Sequence, residues 1–462
     1  MSVMGTDEGQ PRAMTDPMSE FSNGPQSILL FGDDKGLSQV LRILSPELVV
    51  GLVGAEIRSH QHPVLEQLAE VHRLPFLVQP RSTSPAFQAF VDTIRNLAPD
   101  LILVNSYSML IRPDVLTIPR FGAVNIHGGL LPEYRGCNPI QWALLNNEAE
   151  TGVSMHYMSA DFDGGDIIAQ RRVPIAFEDT WRDVQERIVT AIDAMLSEEL
   201  PKLLACTNDR QPQDETRAKY HRRRQPEDGL IDWHNSIVNI YNLVRALVKP
   251  HPGAFFHKGS EKIVLDDYLF IQEIMALKYG DAGGQRLTTE EIRLTPIAAA
   301  DVHMIVKAMT HGIRCIGGAL PRFVVADTGN QELLKVLRKR NDLIIFGICH
   351  TKTGRLIGSC AVSDIDYGHQ EAHLNCAMDK CAGTHRDYSG HAVKLLVVFA
   401  FKELQLKRLH THAPSNDVKT IHLLEEMGFV LERSQQTDSQ IEIEHLDSVV
   451  MGMSRREWAP EK

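Results

Sequence analysis

Along the first 110 residues of the chain, short continuous apolar runs alternate with segments in which apolar residues recur every three or four positions. Short apolar runs typical of buried strands occupy Ser27–Phe31, Leu48–Val53, Leu74–Val78 and Leu101–Val104. Between them, His62–His72 and Phe87–Leu97 carry apolar side chains at the spacing of an amphipathic helix. Strands that alternate with helices predict an α/β fold, here a Rossmann-like, doubly wound and mostly parallel sheet.

The pattern changes after residue 290, where apolar runs follow each other as hairpins. Strands are predicted at Ile292–Leu294, Leu343–Cys349, Arg355–Val362, Ala372–Met378 and Leu409–Ala413, and helices at Ala298–Met309 and Val393–Leu404. Thr353-Gly354 supplies the turn of one hairpin. The order predicts a second domain of the α+β class. The Gly-rich stretch Tyr279–Gln285 before it predicts a boundary crossed by few contacts, so that the two halves should be separable.

Candidate chemistry is concentrated in residues 121–168. Asn125 and His127 stand two apart on a predicted strand and therefore share a face. Gly128-Gly129-Leu130-Leu131-Pro132 follows as a loop, since Pro132 lacks an N–H and cannot continue a central strand. After a second, alternating strand over Val153–Met158 comes the polar loop that contains Asp163. Two polar side chains at a strand end beside flexible loops are a usual place for catalysis in α/β folds.

The segments NIHGGLLPEYRG, ETGVSMHYM and DFDGGDIIAQ resemble the formyl-tetrahydrofolate-dependent formyltransferases, above all those that act on nucleotide-linked amino sugars. Gly129 stands where that family usually has Ser. The resemblance implies that Asn125, His127 and Asp163 are catalytic. Formyl transfer to an amine passes through an oxyanion, and each donor that stabilises it is typically worth about 3 kcal/mol. Asn125 and His127 would donate to it, and Asp163 would fix the tautomer of a histidine that assists proton removal.

The same resemblance implies where the substrates bind. Formyl-tetrahydrofolate is expected against the loop Gly128, Gly129, Leu130, Leu131 and Pro132, with Tyr107 and Met109 as walls of the pterin pocket. Residues 226–270 resemble the small C-terminal subdomain of these enzymes, in which Trp233 and Arg245 are candidates for substrate contact. For Arg245 the alternatives are a substrate phosphate and a structural ion pair with Asp232. The basic cluster His221–Arg224 is either a solvated loop or a contact for a nucleotide pyrophosphate.

Residues 291–458 resemble the GNAT acyl-coenzyme A N-acyltransferases in the order of their elements and in the segment HRDYSGHA before the long helix. The resemblance implies that backbone N–H groups at the helix start hold the coenzyme A pyrophosphate. The candidates are Ser389, Gly390, His391 and Ala392, with Asn416 as a further contact. Two positions depart from the family: Asp387 replaces its usual Gln or Arg, and Leu424 stands where a tyrosine often acts as general acid. A degenerate, binding or dimerising module is therefore the alternative to an active acetyltransferase.

These resemblances divide the chain into five segments. They are a disordered leader over residues 1–25, a formyltransferase domain over 26–208, its small subdomain over 209–270, a linker over 271–290 and a GNAT domain over 291–458. The leader is rich in Gly, Pro, Ser and Met and lacks the apolar core of a signal peptide.

Composition restricts the partners. Asp and Glu number 59 and Lys and Arg 48, a net charge of −11, which argues against a nucleic-acid surface as the main partner. The seven cysteines include no Cys-x-x-Cys pair and are expected to be reduced thiols of a cytoplasmic protein. No apolar run approaches the roughly 18 residues of a membrane span. No metal ligands stand out, and a homodimer is one of the oligomeric states left open.

The sequence therefore predicts a bifunctional tailoring enzyme. Its first half would transfer a formyl group from 10-formyltetrahydrofolate to a primary amine, foremost on a nucleotide-linked amino sugar. Its second half would transfer an acetyl group from acetyl-coenzyme A to an amine. The alternatives are an amino acid or hydroxylamine acceptor in siderophore or antibiotic assembly, methionyl-tRNA formylation and hydrolysis of formyl-tetrahydrofolate. The acidic charge and the missing basic domain argue against the tRNA.

Overall fold

The computed structural model describes residues 24–280, 286–297, 302, 313–316, 330–378, 388–435 and 448–458. These residues form two compact units. The N-terminal unit comprises residues 24–142, 150–174 and 184–224, and the C-terminal unit comprises 143–149, 175–183 and the described residues after 224. Three predictions fall outside the described residues: the leader up to residue 23, nearly all of the helix 298–309, and Asp387.

Strands and helices alternate through the first part of the chain. The strands are β1 (Ile28–Gly32), β2 (Val49–Ala55), β3 (Phe76–Gln79), β4 (Leu101–Asn105), β5 (Ala123–His127), β6 (Arg135–Gly136), β7 (Glu150–Tyr157), β8 (Ile167–Pro174) and β9 (Tyr220–His221). The helices are α1 (Asp34–Leu41), α2 (His62–His72), α3 (Phe87–Leu97), α4 (Pro113–Leu116), α5 (Pro139–Leu145) and α6 (Trp181–Leu204). None of the described helices combines the length and the apolar character that crossing a membrane requires.

The sheet of the N-terminal unit has the strand order β3-β2-β1-β4-β5-β7-β8. The first five of these strands run parallel, and β7 and β8 add to β5 as an antiparallel edge. This confirms the doubly wound, mostly parallel fold. Strand β1 is buried on both faces, and its Leu29 and Phe31 share a core with Phe90 and Ile94 from the apolar stripe of α3. Each such side chain contributes roughly 1.5–3 kcal/mol on burial.

The C-terminal unit continues with α7 (Ile237–Ala246), the hairpin β10 (Ala254–Lys258) and β11 (Glu261–Leu265), and α8 (Ile271–Tyr279). Its second sheet contains β12 (Leu287–Thr288), β13 (Ile292–Pro296), β14 (Ile313–Ile316), β15 (Leu343–His350), β16 (Leu356–Asp366), β17 (Glu371–Met378), β18 (Arg408–Pro414), β19 (Val430–Gln435) and β20 (Ser448–Ser454). The helices after α8 are α9 (Asn330–Arg338), α10 (Tyr388–Lys402) and α11 (Val418–Glu426). The strand order is β12-β13-β15-β16-β17-β18-β20-β19, with β14 beside β17, and β17 pairs with β18 in parallel.

The predicted linker at residues 271–290 is wrong in its first half. Helix α8 occupies that half, and it buries Ile271, Ile274 and Met275 completely. One hydrophobic core runs from Ile231 through α7 and α8 to Met453 of β20. The Gly-rich composition after α8 indicates only a local tendency to turn. Composition carries no information on the packing of the preceding helix, whose apolar face lies against the second sheet. The expected boundary with few contacts is therefore also wrong.

Candidate active site

Asn125, His127 and Asp163 meet in one cavity of the N-terminal unit. Asn125 and His127 occupy alternate positions at the end of β5, and Asp163 lies in the loop after β7. The cavity has a volume of about 250 Å³, and Tyr107 and Met109 are in its wall. The three residues predicted to be catalytic are therefore together, and so are the two predicted to contact the pterin.

A backbone carbonyl determines the tautomer of His127. Its Nε2 lies 2.6 Å from the carbonyl oxygen of Tyr134, which can only accept, so Nε2 carries a hydrogen. In the neutral ring Nδ1 then holds the lone pair, and it lies 3.7 Å from Oδ2 of Asp163. Sequence reasoning assigned the choice of tautomer to Asp163. The structure assigns it to Tyr134 and leaves the Asp163 carboxylate facing the nitrogen that can gain a proton.

The loop that carries Asp163 is held at several points. Asp163 has a left-handed backbone, with φ of 49°, and its Oδ2 accepts the Gly136 N–H at 2.8 Å. The Gln213 side-chain amide donates to the carbonyl oxygens of Asp163 at 2.6 Å and of Gly165 at 2.7 Å. The Oε1 of Gln213 accepts from Arg135, a cation that is 1% exposed. Gln213 and Arg135 thus position the carboxylate.

His156 belongs to the site and was not predicted. It pairs with Asn125 across β7 and β5 and lines the same cavity. Its Nδ1 donates to the Tyr157 carbonyl oxygen at 2.8 Å, so its Nε2 accepts from the Asn125 side-chain amide at 3.2 Å. Burial lowers the pKa of His156 to about 4, with Asp163 opposing that shift. The signal for it was its place between apolar Met155 and Tyr157 on the alternating strand.

The loop Gly128, Gly129, Leu130, Leu131 and Pro132, expected to contact folate, does not line this cavity. The Ser154 hydroxyl donates to the Gly129 carbonyl oxygen at 2.7 Å and accepts the Leu131 N–H at 3.1 Å. A Cβ on Gly129 would lie 2.7 Å from Cβ of Pro139 and 3.1 Å from Nε2 of His127. A side chain at position 129 would therefore clash with Pro139 and His127, so a glycine fits here. The loop packs behind His127 and holds the ring in place.

Tyr107 and Met109 lie after β4, in the cavity wall. The Tyr107 hydroxyl donates to Oε1 of Gln79 at 2.9 Å, and its ring meets Phe31 edge to face at 5.3 Å. Burial raises the pKa of Tyr107 far above its ordinary value, so the ring remains neutral. It supplies a fixed aromatic surface to the cavity.

Of the two candidates for substrate contact, Arg245 is buried in the C-terminal unit, and Trp233 is partly buried against its core. Arg245 is 2% exposed, and its Nη1 donates to the carbonyl oxygens of Ala176, Phe177 and Asp179 at 3.0–3.1 Å. Its guanidinium is therefore used within the fold. Neither expected partner, Asp232 or a substrate phosphate, is confirmed. The Trp233 ring packs on the same core and meets Phe256 edge to face at 5.2 Å.

The residues proposed to hold coenzyme A lie at the start of α10 and before α11. Ser389, Gly390 and Ala392 are buried in the first turns of α10. His391 lies 3.2 Å from the carboxylate of Glu291. Asn416 is exposed in the turn before α11. Leu424, at the position of the family tyrosine, is fully buried in the core.

Three protein-family models match this chain. The formyl transferase model matches residues 34–200, and the model of the formyl transferase C-terminal domain matches residues 223–308. The acetyltransferase (GNAT) domain model matches residues 292–430.

Solved structures of formyltransferases resemble somewhat more than half of this chain. A sugar N-formyltransferase from Shewanella is 18% identical with a TM-score of 0.45, over 53% of this chain and 97% of that one. The Helicobacter canadensis N-formyltransferase in complex with folinic acid and dTDP-3-aminofucose is 17% identical with a TM-score of 0.42, over 59% and 95%. A 4-N formyltransferase from Francisella tularensis is 16% identical with a TM-score of 0.43, over 53% and 97%. The family models carry the assignment: the chain contains both domains of a formyl transferase, joined to an acetyltransferase (GNAT) domain.

Proposed function

We propose that the N-terminal unit transfers the formyl group of 10-formyltetrahydrofolate to a primary amine of a nucleotide-linked amino sugar, in a cytosolic enzyme. The observation that carries the proposal is the meeting of the Asn125 amide, His127 Nδ1 and the Asp163 carboxylate in one cavity. These groups are an oxyanion donor, a proton acceptor and an anion that stabilises the protonated acceptor.

We assign one task to each group. The substrate amine attacks the formyl carbon, and negative charge develops on the formyl oxygen. The Asn125 amide has two hydrogens, and one points to His156, which leaves the other for this oxygen. The amine proton passes to Nδ1 of His127, whose positive charge then lies 3.7 Å from Asp163. The bond from the formyl carbon to N10 of the folate breaks, and N10 receives the proton.

The cavity wall suits a folate ring. Val104, Ile111 and Met158 are apolar wall residues beside Tyr107 and Met109, while the catalytic groups form the polar side. An aromatic heterocycle binds in pockets that are mostly apolar and carry a few polar groups that orient it. We assign the folate to this wall and not to the Gly128–Pro132 loop.

Arg223 is the residue we assign to an anionic part of a substrate. It lines the cavity and is exposed, and its Nη2 donates to the Ser108 carbonyl oxygen at 3.2 Å. It lies in the basic cluster His221–Arg224, which supplies positive charge for a pyrophosphate. A diphosphate held here would leave the sugar amine to reach Asn125 and His127.

We further propose that the GNAT domain transfers an acetyl group from acetyl-coenzyme A to an amine. Backbone N–H groups of Ser389, Gly390, His391 and Ala392 at the start of α10 would hold the pyrophosphate, with Asn416 beside it. Titration of the whole chain with acetyl-coenzyme A in a calorimeter tests this, and no binding would leave a structural module.

The formyl proposal is tested with 10-formyltetrahydrofolate and a panel of amines analysed by mass spectrometry. We expect a formyl group on nucleotide-linked amino sugars, and we expect Arg223→Ala to raise KM for them while kcat is unchanged. Arg217→Ala is the matched control, since Arg217 pairs with Glu133 outside the cavity. Formylation only of amino acids, hydroxylamines or methionyl-tRNA, or release of formate without an amide product, would contradict the proposal.

A further inference from the structure

A second cavity, of about 490 Å³, lies on the sheet of the C-terminal unit. Histidines and carboxylates line it: Asp364, Asp366, Glu371, His373, His410, His412 and Glu432, with Ala372 and Val450. They come from β16, β17, β18, β19 and β20, so a continuous part of the sheet forms the cavity. We call it the acidic cavity. None of its residues was among the candidates from the sequence.

The acidic cavity lies where two parallel strands separate. Strands β17 and β18 pair only from Glu371 with Arg408 to His373 with His410, although β17 continues to Met378 and β18 to Pro414. Beyond this point the end of β17 pairs with β14. Leu374 points into the core, so its neighbour His373 points to the other face of the sheet, where the cavity lies.

The charges of the acidic cavity do not balance. Among the described residues, its four carboxylates face the guanidinium of Arg408, which pairs with Glu432, and the ring of His369, which lies 2.7 Å from Asp366. His410 lies 3.1 Å from Glu432 and 3.5 Å from Glu371. The rings of His373 and His412 are stacked with centroids 5.5 Å apart, and neither makes a hydrogen bond within the described part of the chain. Burial, with His410 and its neighbours, lowers the pKa of both His373 and His412, so both rings are neutral near pH 7.

We propose that the acidic cavity binds the acceptor of the acetyl transfer, that this acceptor is a cationic amine without phosphate groups, and that His373 takes its proton. The inference rests on the acetyl transfer proposed above. The excess of carboxylates attracts an ammonium group and repels a diphosphate. The acetyltransferase domain therefore acts on a different class of amine from the nucleotide-linked amino sugar of the formyl transfer.

The chemistry requires an uncharged ring at this place. The bound ammonium loses a proton to a nitrogen of His373, and the freed lone pair attacks the thioester carbonyl carbon of acetyl-coenzyme A. An amide bond forms, the carbon–sulfur bond breaks, and the departing thiolate takes up the proton.

Among the described residues no group of histidines, cysteines and carboxylates is arranged to hold a metal ion, so the geometry favours an organic cation.

Binding is tested first, with spermidine as the probe, by calorimetry on the full chain. We expect spermidine to bind, and the double variant Glu371→Gln with Asp364→Asn to bind it roughly tenfold more weakly. Glu426→Gln is the matched control, because Glu426 lies 3.6 Å from His422 on α11, a pair like Glu371 and His410, but outside the cavity. No binding to the wild type, or equal binding to the double variant, overturns the proposal.

Turnover is tested by the thiol released from acetyl-coenzyme A. We expect His373→Gln to lower kcat for spermidine about a hundredfold with little change in KM, while His422→Gln leaves it unchanged. An unchanged midpoint of urea unfolding, followed by circular dichroism, verifies that each variant is folded. If His373→Gln and Glu371→Gln release thiol at the wild-type rate, the acidic cavity is not the acceptor site, although the domain is still an acetyltransferase. Spermidine binding without thiol release overturns the cavity's role as acceptor site. Faster acetylation of a nucleotide-linked amino sugar than of spermidine also contradicts the inference.

Discussion

The ammonium group of Lys278 lies 2.7 and 2.8 Å from the two carboxylate oxygens of Glu403, within the C-terminal unit. Lys278 belongs to α8 and Glu403 follows α10, so the pair joins the segment matched by the formyl transferase C-terminal domain to the GNAT fold. Glu403 also accepts the Ile237 N–H at 2.9 Å, and Lys278 donates to the Asn235 carbonyl oxygen at 2.7 Å. One ion pair between a buried lysine and a half-buried glutamate thus connects three segments of the C-terminal unit.

We expect Lys278→Met to destabilise the protein by about 1–3 kcal/mol, because it leaves the half-buried carboxylate of Glu403 without its cation. Urea unfolding followed by circular dichroism measures the loss. Lys335→Met is the control: Lys335 pairs with Glu332 at the same distance of 2.7 Å, but on the surface of α9. Equal effects of the two substitutions would show that the ion pair between Lys278 and Glu403 does not stabilise the fold more than a surface ion pair does.

Asn125→Ala should lower kcat for formyl transfer by roughly a hundred- to a thousandfold, because it removes one donor to the oxyanion. Steady-state kinetics with the wild type and the variant measure it. Asn96→Ala, on the exposed side of α3, should leave kcat unchanged. A variant that retains more than about half of the wild-type rate would contradict the assigned role.

Asp163→Asn should reduce kcat far more than it raises KM, since the protonated His127 loses the anion that faces Nδ1. The Asn side chain can still accept the Gly136 N–H, so the loop should be retained. Asp161→Asn removes a charge from the wall of the same cavity without touching His127 and serves as the comparison. If kcat is unchanged and only KM rises, Asp163 binds substrate and takes no part in proton transfer.

His156 should make the N-terminal unit less stable at acidic pH. Its pKa in the fold is about 4, below the unfolded value of about 6.5. Between these two pH values the unfolded chain is protonated at His156 and the folded chain is not. The free energy of unfolding is unaffected above about pH 6.5 and falls as the pH is lowered towards 4. From this group alone we expect a loss of about 2 kcal/mol between pH 7 and pH 5. Urea unfolding of the wild type and of His156→Gln at both values isolates it, and equal losses would refute the assignment.

Periodicity determined the elements and part of the site. Helices α2 and α3 have the predicted ends, because the three-and-four spacing of their apolar residues is a local property of the chain. The common face of Asn125 and His127 follows in the same way from the two-residue period of a strand. These features depend only on neighbours in the chain, so the sequence alone determined them.

Tertiary contacts decided how the groups are used. The tautomer of His127 depends on the Tyr134 carbonyl, and the position of Asp163 on Gln213, fifty residues away along the chain. His373 and His412, on different strands, share a cavity only because β17 and β18 are neighbours in the sheet. The sequence around Arg245 does not distinguish an arginine that binds a phosphate from one that, as here, donates to three carbonyl oxygens. Local pattern carries no information on which distant groups a folded chain brings into contact, and those contacts select the protonation, partners and exposure on which the chemistry depends.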